Sequence, residues 1–157
     1  MSAKDPSELA EYLKSKKNVL LLTGASCEEI ELDGKMLLDY AAELASKTNF
    51  PVAATGNTAK PLKAKGIENI KKRFLVEIVD QMRGPAWRDS LMSERPELLV
   101  FIGYSPMVVD GLLSSVKGAE TMVLGNEYTK EATYCLPDAS LAQYERNLKQ
   151  LIQAMDN

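Results

Sequence analysis

Four of the nine glycines in this sequence each end a short apolar run, and polar residues follow three of them directly. The seven residues are Gly24, Gly56, Asn57, Gly103, Tyr104, Gly125 and Asn126. Glycine at the end of a strand lets backbone N–H groups approach a phosphate closely, and the amides and the phenol offer further hydrogen bonds. The pattern predicts a crevice that binds a nucleotide or a flavin through these residues. The alternative is that glycine simply ends these strands, whether or not a ligand binds nearby.

The specific motifs of phosphate binding are missing after the first apolar run. Residues Gly24–Glu29 (GASCEE) form neither the G-x-G-x-x-G pattern nor the G-x-x-x-x-G-K-[ST] pattern. Glu28 and Glu29 would repel a phosphate, although acidic residues in the first turn of a helix interact favourably with its dipole. The usual dinucleotide-dependent enzymes and NTPases therefore lose support.

The absence of histidine restricts the chemistry further, because no Ser-His-Asp or Cys-His nucleophile is possible within the chain. Two cysteines, Cys27 and Cys135, cannot supply the four thiolates of an ordinary iron–sulfur cluster. We therefore predict no catalytic residue and no metal site. Cys27 would be reactive if it lay at a helix N-terminus, whereas the apolar surroundings of Cys135 indicate core packing. Acid–base catalysis by lysine or tyrosine stays open.

Two further segments could contact partners. Residues Asn57–Arg73 carry six basic side chains against Glu68 alone, which favours a solvated face over a phosphate or acidic contact. Nucleic acid is not expected, because this segment has no aromatic residues for base stacking. Arg83–Arg88 carries the only tryptophan, Trp87, and two interpretations stay open. Trp87 lies either in a protein interface, where Trp and Arg are enriched, or against the core of its own domain.

A parallel sheet would bring the glycines to one edge. The apolar runs do not alternate with polar residues, which is typical of strands covered on both faces. Strands are predicted over 18–24, 51–56, 98–103, 120–125 and 132–136, and helices over 6–14, 33–47, 74–82 and 107–117, with a loop and a short helix over 57–73. A terminal helix, capped by Asp138 or Ser140, is expected to pack on this sheet rather than in a coiled coil. The alternation predicts an α/β fold, doubly wound, with a mostly parallel sheet and helices on both faces.

Composition agrees with one domain over residues 1–157. Apolar residues make up 45% and charged residues 26%, and the net charge of -3 argues against general nucleic-acid binding. The polar start, Met1–Pro6, does not resemble a signal peptide, and the apolar runs are too short to cross a bilayer. We therefore expect a cytoplasmic protein without membrane contact.

Several segments together resemble the epsilon subunit of the archaeal acetyl-CoA decarbonylase/synthase complex, which contains a carbon monoxide dehydrogenase component. The segments are Pro51–Asn57, Glu97–Tyr104, Gly125–Tyr128, the pair Ala132 and Thr133, and the helix Asp138–Ile152. In order and spacing the similarity covers most of the chain from about residue 17 to the end. The lead-in before it is shorter than is typical of this family.

This resemblance implies a fold like the nucleotide- and flavin-binding domains of transhydrogenases and the middle domains of thiamine enzymes. It implies pairing with the large alpha subunit, as two alpha and two epsilon chains, within a larger complex of methanogenesis-type one-carbon metabolism. Alpha would carry the nickel–iron–sulfur chemistry that interconverts CO and CO2. Epsilon would be non-catalytic, and would stabilise alpha or assist electron transfer, with FAD as the candidate cofactor. The alternatives are a free-standing nucleotide- or flavin-binding enzyme and a pure scaffold whose crevice is filled by side chains.

Overall fold

A computed structural model describes residues 2–156, so Met1 and Asn157 of the predicted domain lie outside the described residues. The strands are β1 (Val19–Thr23), β2 (Glu31–Leu32), β3 (Lys35–Met36), β4 (Val52–Ala54), β5 (Ile70–Lys72), β6 (Leu98–Ile102), β7 (Glu120–Leu124) and β8 (Tyr134–Cys135). The helices are α1 (Pro6–Ser15), α2 (Leu37–Thr48), α3 (Ala59–Ala64), α4 (Leu75–Gln81), α5 (Pro106–Leu113) and α6 (Leu141–Ala154).

The main sheet has six strands in the order β5-β4-β1-β6-β7-β8, and every neighbouring pair is parallel. The chain moves outward from β1 to β4 and β5, then returns to the other side of β1 and continues through β6, β7 and β8. The order therefore reverses between β1 and β6, which is the switch point where doubly wound folds bind ligands. All six carboxyl ends lie on one edge, as the glycine pattern predicts.

Both faces of the sheet are covered by helices, which confirms the doubly wound α/β prediction. All five residues of β1 are buried: Leu21 packs in one apolar cluster with α1, α2 and α6, while Leu20 and Leu22 pack in another with α4 and α5. Burial on both faces explains why the strands read as unbroken apolar runs. The terminal helix α6 buries Tyr144 and Leu148 against its own sheet, as expected.

Several predicted boundaries are wrong. The helix predicted over 33–47 begins only at Leu37, because Asp33 and Gly34 adopt positive φ angles of 51° and 81° in the turn of the β2–β3 hairpin. The prediction for residues 57–73 missed β5, an edge strand in which Ile70 alone is buried. The helix predicted over 107–117 ends at Leu113.

The terminal helix is capped by Ser140 rather than by Asp138. Its hydroxyl accepts a hydrogen bond from the N–H of Gln143 at 3.1 Å, while the Asp138 carboxylate accepts from the N–H of Tyr128 at 2.6 Å. Within residues 2–156, none of the helices combines the length and the apolar character needed to cross a membrane.

Candidate functional site

A crevice of about 470 Å³ opens at the switch point, between the ends of β4 and β6 and the first turns of α4 and α5. Gly56, Gly103 and Tyr104 line it, together with Phe74 and Val108. Three of the seven residues predicted for the site therefore meet here. The parallel sheet places them at one edge because each follows the carboxyl end of a strand.

A second cavity, of about 620 Å³, adjoins the crevice beside α3 and β5. Gly56 lines both cavities, and Asn57 lines the second one. Two lysines, Lys60 and Lys72, also line the second cavity, which we call the lysine cavity, and Glu28 stands at its wall. Asn57, a predicted site residue, thus lies beside cationic side chains rather than in the crevice.

Gly24 and Gly103 serve the packing of the segment after β1. Gly103 has a φ of 85°, and a Cβ at this position would lie 2.3 Å from the Sγ of Cys27. The N–H of Ser26 donates to the Gly103 carbonyl at 2.9 Å, and the N–H of Cys27 donates to the Gly24 carbonyl at 3.0 Å. These N–H groups already have partners within the protein. The N–H groups of Ser26 and Cys27 are therefore not free to bind a phosphate in the turn after β1, and a contact between Gly24 and a ligand stays a prediction.

Gly125 and Asn126 follow β7, one strand beyond the switch point. The carbonyl of Asn126 accepts a hydrogen bond from the N–H of Ala139 at 2.9 Å. Neither residue lines the crevice or the lysine cavity. A contact between these two residues and a ligand stays a prediction.

A buried network of threonine hydroxyls joins the strand ends beneath the crevice. Thr55 Oγ1 donates to the Thr23 carbonyl at 2.8 Å, and Thr58 Oγ1 donates to the Thr55 carbonyl at 2.8 Å. Thr23 Oγ1 lies 2.9 Å from Thr58 Oγ1, and Tyr104 Oη lies 2.8 Å from Thr55 Oγ1. A hydroxyl has one proton to donate. Thr23 and Tyr104 must therefore be the donors in the two hydroxyl–hydroxyl contacts.

This network fixes the chemical character of Tyr104. Burial raises the pKa of the Tyr104 phenol above its ordinary value, so the hydroxyl stays protonated at neutral pH. The ring packs edge-to-face on Phe101, with centroids 5.8 Å apart. Tyr104 is thus a rigid neutral phenol and is poorly suited to act as a general base.

Both cysteines are buried. Burial raises the pKa of the Cys27 thiol to about 12, and its Sγ lies 3.6 Å from the carbonyl oxygen of Ile102. Burial therefore argues against the reactive thiol that Cys27 would be at an exposed helix N-terminus. Cys135 lies in the apolar core, as predicted. No group of three potential ligands among His, Cys, Asp and Glu could hold a metal ion within residues 2–156.

Trp87 belongs to its own domain. Its Nε1 donates to the Met92 carbonyl at 2.9 Å, and its ring packs against the buried cluster beneath α4 and α5. Of the two interpretations of this tryptophan, the structure supports core packing.

Sequence inspection missed the polar residues that shape the site. Thr55 and Thr58 surround Gly56 and Asn57, and Lys60 and Lys72 belong to a segment interpreted as a solvated face. The threonines on both sides of Gly56-Asn57, directly after a short strand, were the available signal.

Comparison with known proteins identifies similar chains. No family model matches this chain. Acetyl-CoA decarbonylase/synthase complex subunit epsilon 1 of Archaeoglobus fulgidus is 27% identical over 74% of this chain, and the aligned part spans 61% of that protein. The subunit of the same name from Methanosarcina barkeri is 24% identical over 96% of this chain and 86% of its own length. Subunit epsilon from Methanothermobacter thermautotrophicus is 22% identical over 93% of this chain and 83% of its own length. The resemblance to epsilon subunits is thereby confirmed.

Proposed function

We propose that this chain is a non-catalytic accessory subunit that binds the alpha subunit of an acetyl-CoA decarbonylase/synthase complex, the subunit with carbon monoxide dehydrogenase activity. The observation that supports this is the similarity to named epsilon subunits, which in two cases extends over 96% and 93% of the chain. The accessory subunit stabilises alpha or assists its electron transfer.

The chemistry of the chain supports a non-catalytic role. It contains no histidine, and both thiols are buried. Burial raises the pKa of Tyr104, the tyrosine of the crevice, so its phenol stays neutral, and its hydroxyl donates a hydrogen bond to Thr55. The alternative is a free-standing enzyme that uses lysine or tyrosine as its acid or base, and the state of Tyr104 weakens the tyrosine form of it.

Exposed apolar side chains support association with another protein. Phe74 and Val108 line the crevice, and Val76 and Met107, which lie near them in the sequence at the starts of α4 and α5, are also exposed; we call these four residues the apolar mouth. Met107 is 89% exposed and Phe74 is 70% exposed. Exposed apolar side chains that gather near one crevice are typical of binding sites.

The test is the mass of the mixture of this chain with a purified alpha subunit, measured by light scattering after size exclusion. A complex with equal numbers of the two chains, two of each, is expected. Separate elution at micromolar concentration would contradict the proposal. A turnover assay on the isolated chain then tests the free-standing enzyme.

We further propose FAD as the cofactor, held in the crevice and the lysine cavity. The residues fit such a ligand around Gly56, which lines both cavities, and Tyr104, which lines the crevice; after Gly24, the N–H groups of Ser26 and Cys27 are bonded within the protein. Bound FAD would supply electron acceptance. A fluorescence titration with FAD tests this proposal, and a titration without change would leave the scaffold role as the remaining alternative.

A further inference from the structure

We infer that the crevice and the lysine cavity form one two-part site, in which Tyr104 accepts a hydrogen bond from an N–H group on a flat ring and Lys60 and Lys72 bind an anionic group. This inference rests on the proposed use of the crevice by a cofactor. It goes further, because it states which chemical groups a ligand must carry and which side chains select them.

The hydrogen-bond direction at Tyr104 determines what the ring must offer. The Thr55 hydroxyl donates its hydrogen bond to the Thr23 carbonyl, so the Tyr104 hydroxyl must donate its own hydrogen bond to the Thr55 oxygen. Tyr104 lines the crevice, and its oxygen then keeps only lone pairs for a further partner there. A ligand edge with an acceptor alone would face these lone pairs without forming a hydrogen bond, whereas a ligand N–H could donate to the phenol oxygen.

The walls of the crevice suit a flat ring. Phe74 is largely exposed and lines the crevice opposite residues that follow β6, and Leu75 and Val108 add aliphatic surface. Aromatic side chains bind planar ring systems by stacking, with little dependence on the ring's exact identity. The Phe101 contact and the Thr55 hydrogen bond hold Tyr104 in place, so the acceptor oxygen has a fixed position.

The lysine cavity supplies the charge for the second part. Among the ion pairs of residues 2–156, Lys65 pairs with Asp39 and Arg73 pairs with Asp89, while Lys60 and Lys72 take part in none. Both lysines line a cavity whose other walls are formed by the apolar residues Ala59, Pro61 and Ala64 and by Glu28, the one carboxylate of the lining. With two lysines against one glutamate, the net positive charge of this lining favours a phosphate or a carboxylate.

Gly56 connects the two parts. It lines both cavities, and its φ of 63° turns the backbone away from the end of β4 towards α3. A Cβ at this position would lie 3.3 Å from the Cβ of Ala25, so glycine leaves more room for a ligand between the two parts than any other residue would. The class that combines a ring N–H, a short linker and an anionic group is that of mononucleotides, including flavin mononucleotide (FMN).

The test compares three probes with the isolated full chain, by flavin fluorescence and thermal shift: FMN, riboflavin without the phosphate, and FMN methylated at the ring N3. FMN is expected to bind at least about tenfold more tightly than either of the other two. Failure of FMN to bind at millimolar concentration would overturn the inference.

Variants assign each preference to its side chain. Tyr104→Phe should bind FMN and methylated FMN equally, and the double variant Lys60→Gln and Lys72→Gln should bind FMN and riboflavin equally. Lys63→Gln, an exposed lysine of α3 outside the cavity, is the matched control and should keep both preferences. If Tyr104→Phe still prefers FMN to methylated FMN, or the double lysine variant still prefers FMN to riboflavin, the inference is overturned even where FAD itself binds. Complex formation with alpha is measured separately, so its failure would leave this result unaffected.

Discussion

The hydroxyl oxygen of Tyr104 lies 2.8 Å from that of Thr55, and this contact joins the ends of β6 and β4 across the intervening strand β1. Thr55 in turn donates to the carbonyl of Thr23, the last residue of β1. Three neighbouring strands are therefore tied together at the switch point by one side-chain hydroxyl. The network sets both the rigidity of the crevice floor and the direction of its hydrogen bonds.

Replacing this hydroxyl should destabilise the protein. Thr55→Val keeps the shape but removes a donor and an acceptor that are both buried, so we expect a loss of about 2 kcal/mol in the free energy of unfolding. Thr55→Ser keeps the hydroxyl and should lose less than about 1 kcal/mol. Urea denaturation measures both values. A valine variant as stable as the natural chain would show that the network is not formed.

The fold was predictable where both faces of a strand are covered. The runs that became β1, β6 and β7 have no alternation because helices pack on both sides of them, and each ends in glycine at the same edge. The prediction missed β5, because an edge strand with exposed Lys71 and Lys72 shows no apolar run. The β2–β3 hairpin was missed because its turn lies within a segment of helical periodicity.

The site was predictable only in outline. The glycines mark the correct edge, but which atoms face them depends on contacts between distant parts of the chain. Gly103 faces Cys27, which lies far earlier in the sequence, and no local pattern encodes that approach. Exposed lysines are common, so Lys60 and Lys72 could be distinguished from other basic residues only by the cavity that they share.

The packing role of Gly103 can be tested against a second glycine of similar conformation. Gly103→Ala brings a Cβ within 2.3 Å of the Cys27 sulfur at a φ of 85°. We therefore expect the free energy of unfolding to fall by about 3 kcal/mol or more. Gly66 has a φ of 91°, and a Cβ added there would meet no atom within 4 Å, so Gly66→Ala should lose only about 1–2 kcal/mol. Thermal and urea unfolding give both values. Equal losses would mean that the Cys27 contact contributes nothing.

Acid should weaken the ion pair that holds the segment before β6. Arg73 contacts Asp89 through two nitrogens at 2.7 and 2.9 Å, and the Asp89 side chain is only 5% exposed. The Arg73 guanidinium holds the pKa of Asp89 below its usual 3.8, so the pair contributes stability above that pH and loses it as the pH falls further. Asp89→Asn should therefore lower the free energy of unfolding by about 2 kcal/mol at pH 7. The difference in this free energy between the variant and the natural chain should shrink as the pH falls from about 5 to about 2.

The matched control for this pair is exposed. Asp80 lies 3.2 Å from Arg83, and both side chains are about 60% exposed. Asp80→Asn should change the free energy of unfolding by less than about 0.5 kcal/mol at any pH. Urea unfolding across the pH range measures both variants, and a pH-independent loss in Asp89→Asn would contradict the assignment of the charge effect.

The apolar mouth should carry part of the affinity for alpha if the proposed association is correct. Met107 is the most exposed of its four side chains and lies outside the crevice lining, so Met107→Ser should leave folding and ligand binding unchanged. Truncating an apolar anchor at the centre of an interface costs about tenfold or more in affinity, and we expect that loss for Met107→Ser in a titration with alpha. Leu141→Ser, at the start of α6, alters an exposed apolar residue away from the mouth and should bind normally. If both variants bind alpha like the natural chain, the partner contacts another face; if both are weakened equally, the effect is not specific to the apolar mouth.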